Sequence, residues 1–366
     1  MASGAKIYIL KKFVIRFFVF TLSILLTYLL LFSPRIINFY KSKKSLNIFT
    51  FPQLIDAEYV AEFEKNTGIK LNISYYENNN ELLIKMRKTK GRGYDIVIPS
   101  DYTVDILIKE GLLKKIDKSK LTFLNNISEK FLGCYFDKQN QYSVPYLWEV
   151  YNIGINKKFA GNHPAGTYNF EPSLKLIFDK NITPGSIIMN NNAREAILLA
   201  ALYLFGSIDN LDDEKIKQIK DLLLAQKEWV EAYTDLRADY LLLCQDSPIA
   251  IGTSGEIWHA TRFDEDLDFL VPKEGTFIVI DSIAIPAKSK KDELIYKFLN
   301  YLYKPEVVSH HVEKYSLFPT IKDVQMGEYF VTSIEKIWKE AKQIVFFENV
   351  LSEKQLNEIW IELKSS

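Results

Sequence analysis

Between Leu46 and Pro99 the apolar residues change their spacing four times, and this constrains the chain more than any other feature. Leu46–Thr50 is a short apolar run. Ala57–Lys65 spaces its apolar residues as a helix does and stops at Thr67-Gly68, a helix-ending pair. Lys70–Tyr76 alternates with the period of a strand, Leu82–Lys88 returns to helical spacing, and Tyr94–Pro99 (YDIVIP) is a third apolar run. Strand, helix, strand, helix, strand in that order implies a mostly parallel sheet covered by helices. In open sheets of this kind a ligand binds beyond the carboxyl ends of the strands. Three such ends are therefore candidate sites: Thr50–Phe51, Tyr75–Tyr76 and Ser100-Asp101-Tyr102.

A second α/β body follows over roughly 155–275. It has a strand at Ser186–Met189, helices at Ala193–Phe205 and Asp213–Leu224, and the stretch Ser247–Gly252. Phe277–Pro286 (FIVIDSIAIP) then returns as an apolar strand, and the tail from about residue 326 reads as helical. A length of 366 residues suits two domains. No low-complexity linker separates them, so several crossings of extended chain, a hinge, are expected to join them.

The balance of 46 basic and 46 acidic residues conceals a division. Residues 1–45 hold eight basic residues and no acid, which leaves 38 basic against 46 acidic in the body. An acidic body argues against nucleic acid as a partner. The uncharged run Phe17–Phe32, extended by Phe13–Ile15 behind the basic residues, reads as an export signal or an uncleaved anchor in the inner membrane. The body is then extracytoplasmic. Cys134 and Cys244 are too few for a disulfide scaffold and are expected to stay unpaired, and the four histidines never fall at metal-ligand spacing. No metal or other cofactor is expected, and His310-His311 reads as a polar patch late in a helix.

Three acidic positions stand out. Asp281 interrupts an otherwise apolar or small run, and a buried carboxylate needs a cation or hydrogen-bond donors. Asn190-Asn191-Asn192-Ala193-Arg194-Glu195 marks a strand end and a helix start, with Asn192 and Glu195 at capping-box spacing. Thr253-Ser254-Gly255-Glu256 reads as a turn that leaves Glu256 at a strand end. Ion pairing, capping and solvation are the structural readings of the three; convergence on one cleft is the functional one.

These residues belong to a larger pattern. Glu64-Lys65-Asn66-Thr67-Gly68-Ile69-Lys70, Tyr94-Asp95-Ile96-Val97-Ile98-Pro99-Ser100-Asp101-Tyr102 and Ile116-Asp117-Lys118-Ser119-Lys120-Leu121 come first. Tyr142-Ser143-Val144-Pro145-Tyr146-Leu147-Trp148, Ala193-Arg194-Glu195, Pro272-Lys273-Glu274-Gly275 and Asp281-Ser282-Ile283-Ala284-Ile285-Pro286 follow in order. In order and spacing the chain resembles the spermidine/putrescine-binding proteins of bacterial ABC importers, from Leu46 to Lys364. The resemblance implies a two-lobed α/β clamp of the type II periplasmic-binding-protein class, each lobe a mixed, mostly parallel sheet flanked by helices. The first lobe would be 46–150 plus 277–322 and the second 155–275 plus 326–366, with crossings at 148–155, 277–283 and 319–325.

It further implies a polyamine held in the cleft, its ammonium ends on carboxylates and its methylenes between aromatic rings, for delivery to a permease without catalysis. The ligand-binding positions carried over are Phe51, Ser100, Tyr102, Asn192, Glu195, Thr253, Glu256, Asp281 and Phe318. Several depart from the family pattern. Phe51-Pro52-Gln53-Leu54 stands where Trp-Thr-Glu-Tyr is usual, Asn192 replaces a carboxylate, Thr253 and Val279 replace tryptophans, Phe318 replaces a tyrosine, and Glu149 replaces a small residue. Another small cationic or polar solute on the same scaffold is the alternative. An anion receptor would want arginine and helix N-termini, and an enzyme would want a nucleophile or proton shuttle in the cleft.

Overall fold

The computed structural model describes residues 11–28, 44–159, 171–183, 185–234, 237–244 and 247–366. The first apolar runs fold as their alternation implies, into β1 (Ser45–Thr50), α1 (Ala57–Thr67), β2 (Lys70–Tyr75), α2 (Asn79–Thr89), β3 (Ile96–Ile98) and α3 (Asp101–Lys109). β1 lies between β2 and β3 and runs parallel to both. The Asp56 side chain accepts from the Glu58 amide to start α1, and Gly68, at φ 68°, ends it by donating its N–H to Glu64 O. That left-handed conformation is open to glycine at little cost. Asn78 likewise accepts from the Glu81 amide at the head of α2, so this helix begins three residues before the apolar run that announces it.

The centre of the molecule is β4 (Ser143–Asn156), fourteen residues and nearly all buried. Ser143 to Val150 pairs antiparallel with a later strand, β9 (Thr276–Ala284), and Tyr151 to Ile155 pairs antiparallel with β7 (Ile249–Thr253). This change of partner welds the two bodies into one 11-stranded sheet, in the order β2-β1-β3-β9-β4-β7-β5-β6 among the described residues. Here β5 is Ile187–Asn190 and β6 is Val230–Thr234, with β5 parallel to both β6 and β7. The outer strands are thus parallel, and the middle is antiparallel because β4 and β9 run against each other. Helices α4 (Lys175–Phe178), α5 (Ala193–Phe205), α6 (Asp213–Gln226), α7 (Ala238–Leu243) and α8 (Ser254–Thr261) cover the second body, and β8 (Leu267–Leu270) is added to β4.

The remainder comprises α9 (Asp292–Leu302), α10 (Pro305–Tyr315), β10 (Phe318–Pro319), α11 (Glu328–Glu340), β11 (Ile344–Phe346) and α12 (Glu353–Ser365). The tail is therefore not helical throughout. Ile344–Phe346 joins β9 in parallel, a three-residue pairing too short to show as a strand period. The buried apolar residues form two clusters. Phe49, Phe63, Ile98, Tyr146, Trp148, Phe298 and Phe318 anchor one. Ile153, Ile177, Met189, Leu199, Ile251, Phe277 and Phe347 anchor the other.

His310-His311 is not a polar patch. His311 is buried on α10, where its Nε2 accepts from the Asp56 amide at 2.9 Å and its Nδ1 lies 2.7 Å from the Tyr146 hydroxyl. Burial lowers its pKa to about 4, so the ring is neutral and ties three elements together. Cys134 and Cys244 are both free. Residues 11–28 of the predicted signal or anchor form a helix with its apolar side chains exposed. Residues 1–10 and 29–43, the rest of that segment, lie outside the described residues. No described helix is long and apolar enough to cross a membrane.

Candidate functional site

Strand register builds the floor of a cavity of about 940 Å³, open solvent at its mouth included. Asp281 sits opposite Leu147, Val279 opposite Glu149, Thr253 opposite Tyr151 and Ile251 opposite Ile153. Side chains two residues apart on a strand share a face. Asp281 and Val279 of β9, Glu149 and Tyr151 of β4, and Thr253 and Ile251 of β7 therefore form one continuous surface, and all six line the cavity. The strand ends close it, as the sheet topology predicts. Phe51 follows β1, with its ring 4.3 Å from that of Tyr76 behind it; Glu77 follows β2, and Ser100 follows β3. Asn190, Asn192 and Glu195 enter from the end of β5 and the start of α5, Tyr315 from the last turn of α10 and Leu317 from just beyond it.

Each carboxylate is held differently. Asp281, 4% exposed, accepts from the Ser100 hydroxyl at 3.0 Å, and Asn79 Nδ2 donates to that hydroxyl at 3.1 Å. Burial raises its pKa to about 8, with the charge of Glu149 adding to the effect. Glu195 Oε2 accepts from the Tyr151 hydroxyl and, at 2.8 Å, from Asn190 Nδ2. Glu256 is not a strand-end acid. It is the third residue of α8 and completes a capping box with Thr253, while the Ala238 amide donates to its other oxygen at 3.3 Å. Its enclosed position and the nearby Glu149 raise its pKa to about 8. Glu149 Oε2 accepts from the Gly255 amide at 3.1 Å; burial raises its pKa, and the donors Thr253 and Gly255 pull it back in part. No lysine, arginine or histidine stands among the described residues that line the cavity.

Seven of the nine predicted site residues line this cavity: Phe51, Ser100, Asn192, Glu195, Thr253, Glu256 and Asp281. Tyr102 and Phe318 lie elsewhere. Tyr102, in the first turn of α3, is buried behind the cavity's lining. Asn192 Nδ2 donates to its hydroxyl at 3.2 Å, and the Arg194 guanidinium lies 4.8 Å from its ring centre. It lines a separate cavity with Arg87, Arg194 and Glu353. Phe318 is fully buried, its ring 4.5 Å from that of Trp148 and 4.6 Å from that of Trp258, and its neighbour Leu317 faces the cavity instead.

Glu149 and Tyr151 were not among the predicted positions. The signal that singles out Asp281, an acid inside an apolar strand, applies equally to Glu149. Trp148 points to the other side of β4, where its indole N–H donates to Pro319 O at 2.9 Å. One group of metal-ligating side chains occurs among the described residues, Asp56, Glu58 and His310. Its Asp56 already accepts from Lys314 Nζ and the Tyr315 hydroxyl, which hold its pKa below the usual range despite burial.

Comparison with known proteins adds the ancestry of this arrangement. The model of the bacterial extracellular solute-binding protein family matches residues 58–342. The spermidine/putrescine-binding periplasmic protein of Escherichia coli K12 is 31% identical over 281 residues, 74% of this chain and 75% of that protein. The chain belongs to the bacterial extracellular solute-binding proteins. The putrescine/cadaverine-binding protein of Pseudomonas aeruginosa PAO1 is 25% identical over 88% of this chain and 94% of its own. The crystal structure of the spermidine/putrescine ABC transporter substrate-binding protein PotD from Streptococcus pneumoniae superposes with a TM-score of 0.72. It covers 88% of this chain and 99% of its own at 23% identity, and so shares the two-lobed α/β fold. These relatives are named for binding and transport, not for catalysis.

Proposed function

We propose that this solute-binding protein captures a polyamine of the putrescine and spermidine class in the cavity and delivers it to an ABC permease. The observation that carries this reading is the cavity's charge. Glu77, Glu149, Glu195, Glu256 and Asp281 line it without a basic side chain among the described residues. The enclosed ones, Glu149, Glu256 and Asp281, need an external cation or a proton. Phe51, Leu54, Ile251, Val279 and Leu317 supply apolar walls between the acids, which suits methylenes joining separated ammonium groups. An anion would find no basic partner among the described residues that line the cavity. The rings of Phe51, Tyr151 and Tyr315 can add cation–π attraction of about 0.5–2 kcal/mol each.

In this reading the lobes are 46–150 plus 277–322 and 155–275 plus 326–366, and they close on the amine by bending at 148–155, 277–283 and 319–325. Asp281 and Glu195 take ammonium ends, with Ser100 and Asn192 beside them. The apolar amino-terminal segment exports the body and tethers it to the inner membrane. Thermal-shift measurements followed by calorimetry test the ligand class. Putrescine and spermidine should raise the melting temperature, while phosphate, sulfate and acidic amino acids should not. A shift with a zwitterionic amino acid and none with either amine would move the reading to another polar solute on the same scaffold.

A further inference from the structure

We infer that Glu149 is a specificity-determining residue that reads an ammonium group in the interior of the ligand chain, so that the cavity selects a triamine over a diamine. This rests on the polyamine reading above and deepens it. The argument is one of position along β4. Leu147 is opposite Asp281, and Tyr151 reaches Glu195 through its hydroxyl. Glu149 falls midway between them on the same face. At roughly 3.3 Å per residue the stretch from Leu147 to Tyr151 covers about 13 Å, with Glu149 near its centre. A chain laid along the floor from Asp281 to Glu195 therefore passes over Glu149. A diamine spanning these two ends would set methylenes against the Glu149 carboxylate and leave a half-desolvated charge unmatched. A triamine sets an ammonium there instead.

Two further observations favour a ligand-facing role over a purely structural one. Glu149 lines the cavity, and its charge raises the pKa of both Asp281 and Glu256, so it stands close to both, with no basic side chain among the described residues that line the cavity. It is also held in place by design of the local backbone. Gly255, the second residue of α8, donates its N–H to Glu149 Oε2, and a Cβ at position 255 would come within 2.6 Å of that oxygen. The positive end of α8, the bare Gly255 amide and the Thr253 side chain thus fix the carboxylate in place with neutral donors only, which leaves its charge for a ligand to balance.

The test compares spermidine with diaminooctane, the isostere that carries a methylene in place of the internal nitrogen, and with putrescine, by calorimetry. The proteins are the wild type, Glu149→Gln and Gly255→Ala. Glu149→Gln keeps the side-chain carbonyl that accepts from Gly255, so a role confined to that hydrogen bond survives the change. The expected result is a wild-type preference for spermidine over diaminooctane that collapses in Glu149→Gln. Spermidine should lose ~10-fold or more in affinity and the two diamines less than about 3-fold. Gly255→Ala, which displaces the carboxylate without removing its charge, should narrow the same preference while leaving far-UV circular dichroism unchanged. Equal losses on all three amines, or no loss on spermidine, overturn the assignment of Glu149 and leave the polyamine reading standing. A wild type that binds none of the amines overturns that reading and this inference with it.

Discussion

Asp281 carries a carboxyl group into a nine-residue strand that is buried along its whole length. Sequence alone marks it, because an acid in such a run is costly without a partner. Its partner, the Ser100 hydroxyl, comes from a segment 181 positions away and could only be found in the fold. Glu149 obeys the same rule but is harder to see, because the apolar context that makes it anomalous extends across a strand that changes partners. The enclosure of Asp281 and Glu256 has a consequence for pH. An unfolded carboxyl group titrates near 4, whereas both titrate at about 8 in the fold. Between these values the native state keeps protons that the unfolded state has lost, so stability falls as pH rises from about 4 through about 8. The melting temperature of the ligand-free protein should therefore decline over that range, and Asp281→Asn should flatten the decline. A slope unchanged by the substitution would contradict the assignment. Cation binding should conversely expel protons at pH 7, and the calorimetric heats in phosphate and Tris buffers should then differ. Asp281→Ala should weaken amine binding by about 2–4 kcal/mol, as removal of a desolvated charge partner does.

Two helix starts show how an element turns sequence chemistry into a site. Thr253 and Glu256 form a complete capping box, so Glu256 spends its oxygens on the Thr253 and Ala238 amides and serves α8 first. Asn192 caps α5 by accepting from the Arg194 and Glu195 amides, while Glu195 reaches out to Tyr151 and Asn190. Both acids line the cavity, but the same spacing commits the Glu256 carboxylate to its own capping box and leaves that of Glu195 to side chains of the cavity wall. Spacing alone does not distinguish them. Asn192→Ala should lower the unfolding free energy by about 1 kcal/mol, the usual worth of a cap, measured by urea denaturation. It should also weaken amine binding by loosening Glu195, and unaltered binding would make the cap purely structural. The long periodic helix Ala193–Phe205 was legible to the residue, and the others to within two or three residues at an end. β11 and β10 were not, because two or three residues carry no period, and the face on which Leu317 or Phe318 would lie was equally hidden. Gly154 makes a similar point within β4. A Cβ there would meet Leu242 Cδ1 at 2.7 Å and Ile257 Cδ1 at 2.8 Å. Gly154→Ala should accordingly cost about 1–3 kcal/mol of stability through overpacking.

At the scale of the whole molecule, the two apolar clusters meet along β4 and β9 and again at a polar seam beside the separate cavity that Tyr102 lines. In that seam Arg87 of α2 bonds Glu110 at 2.7 Å and Glu353 of α12 at 2.6 Å. Asn349 Nδ2 donates to Asp105 Oδ2 at 2.7 Å and to Tyr102 O at 3.0 Å. Arg194 covers the Tyr102 ring. Tyr102, expected from its strand end to meet the ligand, lies beside this seam, with its backbone oxygen accepting from Asn349 and its hydroxyl from Asn192 of the cavity lining. A seam of this composition suits a clamp. Half-exposed ion pairs are worth only about 0.2–1 kcal/mol each, enough to bias closure and too little to prevent opening. Small-angle scattering should show a smaller radius of gyration with saturating spermidine than without it. Arg87→Ala removes the ion pair to Glu353 that spans the seam, together with the pair to Glu110 inside the first body, and leaves the amine cavity untouched. It should shift the ligand-free profile towards the extended form and speed amine release by up to about 5-fold in stopped-flow experiments, with little change in the association rate. Identical scattering profiles with and without ligand, together with an unchanged release rate, would mean that the bodies do not hinge about β4 and β9 and that capture proceeds without closure.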